Sequence, residues 1–136
     1  MKQVLSVGQM RCLQEIGVDT SNASMTWALY PYEENKQPQL SLRKWNTFKE
    51  PFRKQHCIPA FTLLDVLELL PKEIKTGTDT YWITMYFSDN CWHICYSMSD
   101  EFDYFQEFLS YSLIDAAYDM LCWCIENGYV KVRKEK

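Results

Sequence analysis

With 136 residues, 47% hydrophobic and 24% charged, the chain has one domain's length and enough apolar content to bury a core, which argues against disorder and against a scaffold that needs staples. No run approaches the ~18 to 20 apolar residues of a membrane span, so no membrane partner is expected. The net charge of −4 is uneven: residues 1–75 hold ten Lys and Arg against eight Asp and Glu, whereas residues 76–130 hold nine acids and no Lys or Arg. A chain so acidic ranks low as a nucleic-acid binder.

The first element begins in "LSVGQM". Ser6 can cap a helix, Gln9 can reach back to it, and Leu5 and Met10 stand where a hydrophobic staple joins the entering chain to the first turn. That helix runs over about residues 7–16, with Gly17 in the left-handed closing position. "MTWALY" (25–30) and the weaker alternation of "QLSLRKW" (39–45) predict two strands. Residues 46–57, "NTFKEPFRKQHC", read as a loop. In "FTLLDVLELLP", Thr62 and Asp65 repeat the capping box, Phe61 and Val66 form the staple, and Pro71 limits the helix. "YWITMYF" and "CWHICYSM", joined by the turn chemistry of "SDN", predict a β-hairpin over 81–98. A third box, Ser112 with Asp115, opens a helix that Gly128 ends. The order α-β-β-α-β-β-α predicts a single α+β domain over residues 1–136, with a mostly antiparallel sheet and helices packed on one face.

The last helix sorts its own cysteines. At about 100° per residue, Asp115, Asp119, Cys122 and Glu126 fall on one stripe, and Leu113, Ala117, Met120, Leu121 and Cys124 fall opposite. Cys124 is therefore a core thiol. Cys122, beside carboxylates, should resist ionising, and the two cannot share a metal.

The opening residues "MKQVLSVGQMRCL" contain no apolar leader, so the six cysteines are expected to be reduced thiols in the cytoplasm. Cys91, His93 and Cys95 alternate along one strand face, a set of ligand types that zinc accepts, with Cys57 and His56 as candidates to complete it. The same alternation permits a Cys–His dyad, but no glycine-rich oxyanion turn or phosphate loop lies nearby in a chain of four glycines, so neither catalysis nor a cofactor is expected. Arg43, Lys44, Lys49, Arg53 and Lys54 interleave with Trp45, Phe48 and Phe52, a pattern that can bind single-stranded nucleic acid by charge and stacking. Asp100, Phe102, Asp103, Tyr104, Phe105 and Phe108 have the aromatic, charge-rimmed composition of a protein interface, and equally that of a hydrophobic lid.

"VLSVGQMRCLQEIGVDTSNASMTW", "IPAFTLLDVLELLPKEI" and "SLIDAAYDMLCWCIENGYVK" resemble a set of uncharacterised small cytoplasmic proteins of gut Bacteroidales bacteria and their mobile elements or prophages. The resemblance implies a bacterial cytoplasmic setting and attaches no site residue. The leading expectation is a non-catalytic interaction module that meets an unknown protein partner, or a second copy of itself, through residues 100–108. Zinc binding through Cys91, His93 and Cys95, and nucleic-acid binding through residues 43–54, are the alternatives.

Overall fold

Ser6 opens the first helix as its spacing predicts. Its Oγ accepts the Gln9 amide at 3.1 Å, and the Gln9 side chain accepts the Ser6 amide at 2.9 Å. The helix α1 (Val7–Glu15) buries Met10 and Leu13, and Leu5 is fully buried as the staple requires. Gly17 leaves the helix at φ 99°, where a side chain would be strained, and the Val18 amide bonds back to Leu13.

The computed structural model describes residues 2–31, 37–98 and 104–132. They fall into two compact units, Gln3–Asp65 with Val132, and Val66–Lys131 with Lys2. In the first unit, β1 (Met25–Ala28) lies between β2 (Gln39–Ser41) and β3 (Cys57–Ala60), antiparallel to both. One cluster joins Val4, Met25 and Ala60 to Trp27 and Leu40; another joins Ala28, Phe48 and Cys57 to Tyr30, Trp45 and Phe52. The second cluster overturns the loop expected over 46–57. That segment carries a 3-10 turn (Trp45–Thr47), the short helix α2 (Phe52–His56) and the start of β3. Phe48 and Phe52, four residues apart, stack with ring centroids 6.1 Å apart, which folds the basic segment onto the sheet. The Thr62 box forms: Thr62 N–H donates to Asp65 at 2.9 Å, and Asp65 N–H donates to Thr62 Oγ1 at 3.2 Å. Asp65 also accepts the Ser24 amide and hydroxyl.

The helix that follows that box, α3 (Leu63–Leu69), contains the boundary between the units. The second unit is a four-stranded antiparallel sheet, β4 (Glu73–Thr76), β5 (Asp79–Ser88), β6 (Cys91–Ser97) and β7 (Tyr104–Ser110), in that spatial order, with α4 (Leu113–Glu126) against β6 and β7. The hairpin is where the aromatic runs place it, and Asp89 and Asn90 take φ of 54° and 62° in its two-residue turn. On α4, Met120, Leu121 and Cys124 are fully buried while Asp119 and Glu126 are exposed, so the two stripes are real. The third capping box does not form. Ser112 makes no side-chain cap, and Asp115 instead takes Lys2 Nζ at 2.7 Å. The protein is α+β with antiparallel strands, but those strands make two sheets where the sequence reading gathered them into one.

Candidate functional site

The register of β5 and β6 puts Cys91, His93, Cys95 and Ser97 on one face with Ser88, Tyr86, Thr84 and Trp82 of β5. β7 adds Glu107 opposite Cys95 and Leu109 opposite His93. The opposite face carries Ile94 and Tyr96, both fully buried; the Tyr96 hydroxyl donates to the Pro71 carbonyl at 2.7 Å and lies 4.0 Å from Cys124 Sγ. The sheet thus has an apolar side that α4 covers over β6 and β7, and a polar side with its own network.

His93 is the centre of that network. Its ring stacks on Tyr86 at 4.4 Å and 6°. Nδ1 lies 3.4 Å from Glu107 Oε2 and Nε2 lies 3.2 Å from the Ser88 carbonyl. The Tyr86 hydroxyl donates to Glu107 at 2.9 Å and sits 3.0 Å from the Tyr104 hydroxyl. The Tyr104 bond, then burial, then Glu107 push the Tyr86 phenol well above its usual range, so it stays a donor. Burial chiefly, helped by the Glu107 charge, raises the Cys95 thiol, and Ser97 only partly offsets this.

Cys91, His93 and Cys95 therefore share a face as their alternation predicts, yet both His93 nitrogens are turned to oxygen acceptors. Among the described residues no three His, Cys, Asp or Glu side chains form a metal-ligating group. A Cys–His dyad needs an imidazole nitrogen aimed at a thiol; here Glu107 and Ser88 hold both. Cys57 and His56, the proposed completion of the zinc set, lie in the other unit.

Of the expected interface residues, Asp100, Phe102 and Asp103 lie outside the described residues. Tyr104 is spent on Tyr86. Phe105 stacks on Tyr81 at 4.8 Å and meets Trp123 and Tyr129 edge-on, and Phe108 stands opposite Ile94. Phe105 and Phe108 are half-buried parts of the sheet-and-helix core, as a lid would be.

Leu109 and Tyr111, just beyond Phe108 in the chain, are exposed, and further exposed apolar side chains of this unit lie on β5. Trp82, Met85 and Phe87 on β5 are 47%, 40% and 56% exposed. β4 pairs only with residues 79–82 of β5, so among the described residues no strand lies outside residues 83–88. The Ile83 amide donates to Lys72 on that side. By antiparallel alternation, the amides and carbonyls of Met85 and Phe87 point the same way. The edge is open because β5 is ten residues long and β4 only four.

In the first unit, the basic and aromatic residues are largely engaged with one another. The Arg43 guanidinium lies 4.2 Å over Phe48 and donates to Thr47 O. Arg53 lies 4.8 Å over Trp45 and pairs with Glu50 at 2.9 Å. Lys44, Lys49 and Lys54 are exposed. The Trp45 indole N–H is buried and has no acceptor among the described residues. Burial raises the Cys57 thiol, against the pull of Arg43 and Arg53.

No helix among the described residues is long and apolar enough to cross a membrane. No known protein family, curated protein or solved structure matches this chain.

Proposed function

We propose that the protein is a non-catalytic interaction module whose acidic unit takes an extended, basic segment of a partner protein along the open edge of β5. The observation that carries this reading is the conjunction at Met85 and Phe87: outward backbone groups on an unpaired edge beside exposed apolar side chains. An added strand would satisfy those groups and cover those side chains. The charge selects the partner. Asp79 opens β5 and Asp89 follows it, and residues 76–130 hold nine acids and no Lys or Arg. The far edge suits a partner less, because the Glu107 amide is already taken by the Gln106 side chain at 3.0 Å.

Selection from a displayed random nonapeptide library tests this. Enriched peptides should be basic, and binding should protect the Met85 and Phe87 amides from hydrogen exchange. Phe87→Lys should abolish binding, and Asp79→Lys with Asp89→Lys should slow association most at low salt. Protection confined to other strands, or enrichment of acidic peptides, would overturn the reading. A concentration-dependent dimer that Phe87→Lys dissolves would give the edge to a second copy instead.

A further inference from the structure

The unit formed by Gln3–Asp65 contains a groove that the interaction surface does not use. Arg11 and Gln14 stand three residues apart on α1, and so on one helical face. With Trp45, and with Arg53, Lys54 and His56 from α2, they line a cleft of about 360 Å³. Its lining holds three permanent cations and no carboxylate. Gln14, Trp45 and Pro59 also line a second cleft, of about 710 Å³, whose other walls include Glu15, Asp19, Thr20 and Ser21. The two clefts are thus neighbours that share Gln14, Trp45 and Pro59 as wall residues, with cations lining one and carboxylates and hydroxyls lining the other.

The cationic end is open for business as an anion site. Arg11 and Lys54 have no ion pair among the described residues. Arg53 is held in place by Trp45 below its plane, by Glu50 on Nε and by the Asn46 carbonyl on Nη1 at 3.4 Å, while Nη2 has no partner among the described residues. A guanidinium fixed in this way loses little freedom on binding an oxyanion.

We propose that this groove binds a nucleoside monophosphate. The phosphate sits among Arg11, Arg53 and Lys54, the planar base lies along the Trp45–Arg53 stack, and the donors of the sugar or base reach Glu15 and Asp19. The polarity of the groove decides against a longer strand. A single-stranded nucleic acid following it would set its next phosphates against Glu15 and Asp19, whereas a ligand with one anionic end and one neutral, donor-rich end matches both. Each cleft by itself is within the size range of small-molecule sites.

Equilibrium dialysis of the full chain against the common nucleoside monophosphates, the free nucleosides, inorganic phosphate and a single-stranded 12-mer is the test. At least one monophosphate should bind saturably at one site, about ten-fold or more tighter than its nucleoside or than phosphate alone. Arg11→Ala with Lys54→Ala should weaken it by about ten-fold or more, since each removes a charge-assisted contact from an exposed position. Lys49→Ala, outside the lining, should change nothing, and circular dichroism should show all variants folded. The proposal fails if no monophosphate saturates, if phosphate alone binds as tightly, if the double variant binds normally, or if the 12-mer binds more tightly with a steep salt dependence.

Discussion

Cys122 and Cys124 differ by two positions and by everything that matters to a thiol. Cys124 is fully buried beside Tyr96, and burial pushes its thiol up to about 11. Cys122 is only half-buried on the acidic stripe. Replacing Cys124 by Ser puts a hydroxyl in a fully buried position 4.0 Å from the Tyr96 hydroxyl, which should cost about 1–3 kcal/mol. Cys122→Ser should stay within about 0.5 kcal/mol, as surface changes do. Urea unfolding of the two variants measures the difference, and equal losses would contradict the helix face assigned to them. His93 teaches the complementary lesson. Alternation along β6 predicted its face and its neighbours Cys91 and Cys95, but what it bonds to comes from β7 and from the turn carbonyl of Ser88. Neither was legible from spacing.

At the scale of elements, the helix starts sort into those whose side chains close the box and one that does not. Ser6 makes both reciprocal bonds, so Ser6→Ala should cost about 1 kcal/mol. Ser112 makes no cap, so Ser112→Ala should cost well under half of that. Thermal unfolding of the two variants measures the difference. The same three-residue spacing in sequence served both, but the Ser112 amide donates to Ser110 Oγ at 3.1 Å and Asp115 pairs with Lys2. Further along α4, partial burial and then the Asp115 charge one turn away raise the Asp119 carboxyl above its ordinary 3.8. A carboxyl raised in the folded state favours folding while it is protonated, and that contribution is lost as pH rises through the raised value. Asp119→Asn should therefore stabilise the protein at pH 7. Asp119 is exposed as a residue, so the gain should be only about 0.2–0.5 kcal/mol, the size of a like-charge pair one turn apart. It should vanish below pH 3.8, where Asp119 is itself protonated; a pH series of melting curves reads this directly.

For the whole molecule, six free thiols offer a test of the core that needs no mutation. Cys12 is exposed, Cys91 and Cys122 are partly exposed, and Cys57, Cys95 and Cys124 are buried. Native alkylation followed by mass spectrometry should label Cys12 first and leave the three buried thiols unmodified until denaturant is added, because both access and ionisation are suppressed by burial. Early labelling of Cys95 would mean that the polar face of the second sheet opens readily.

The amino-acid sequence by itself determined the elements whose signals are local. The capping boxes at Ser6 and Thr62, the closing glycines, the hairpin turn at Asp89 and Asn90, and the two stripes of α4 all depend on residues within a turn or two of one another. It also determined the α+β class, which follows from the order of such elements. Tertiary structure alone decided the rest. Phe48 and Phe52 could fold residues 46–57 only once Ala28 and Cys57 offered a surface, and β4 and β7, mixed in composition, became strands by pairing with the aromatic hairpin. The division into two sheets, the open edge of β5 and the joining of α1 to α2 across a charged groove have the same origin. Each depends on groups far apart in the chain, and such pairings leave no periodic trace for local reasoning to find.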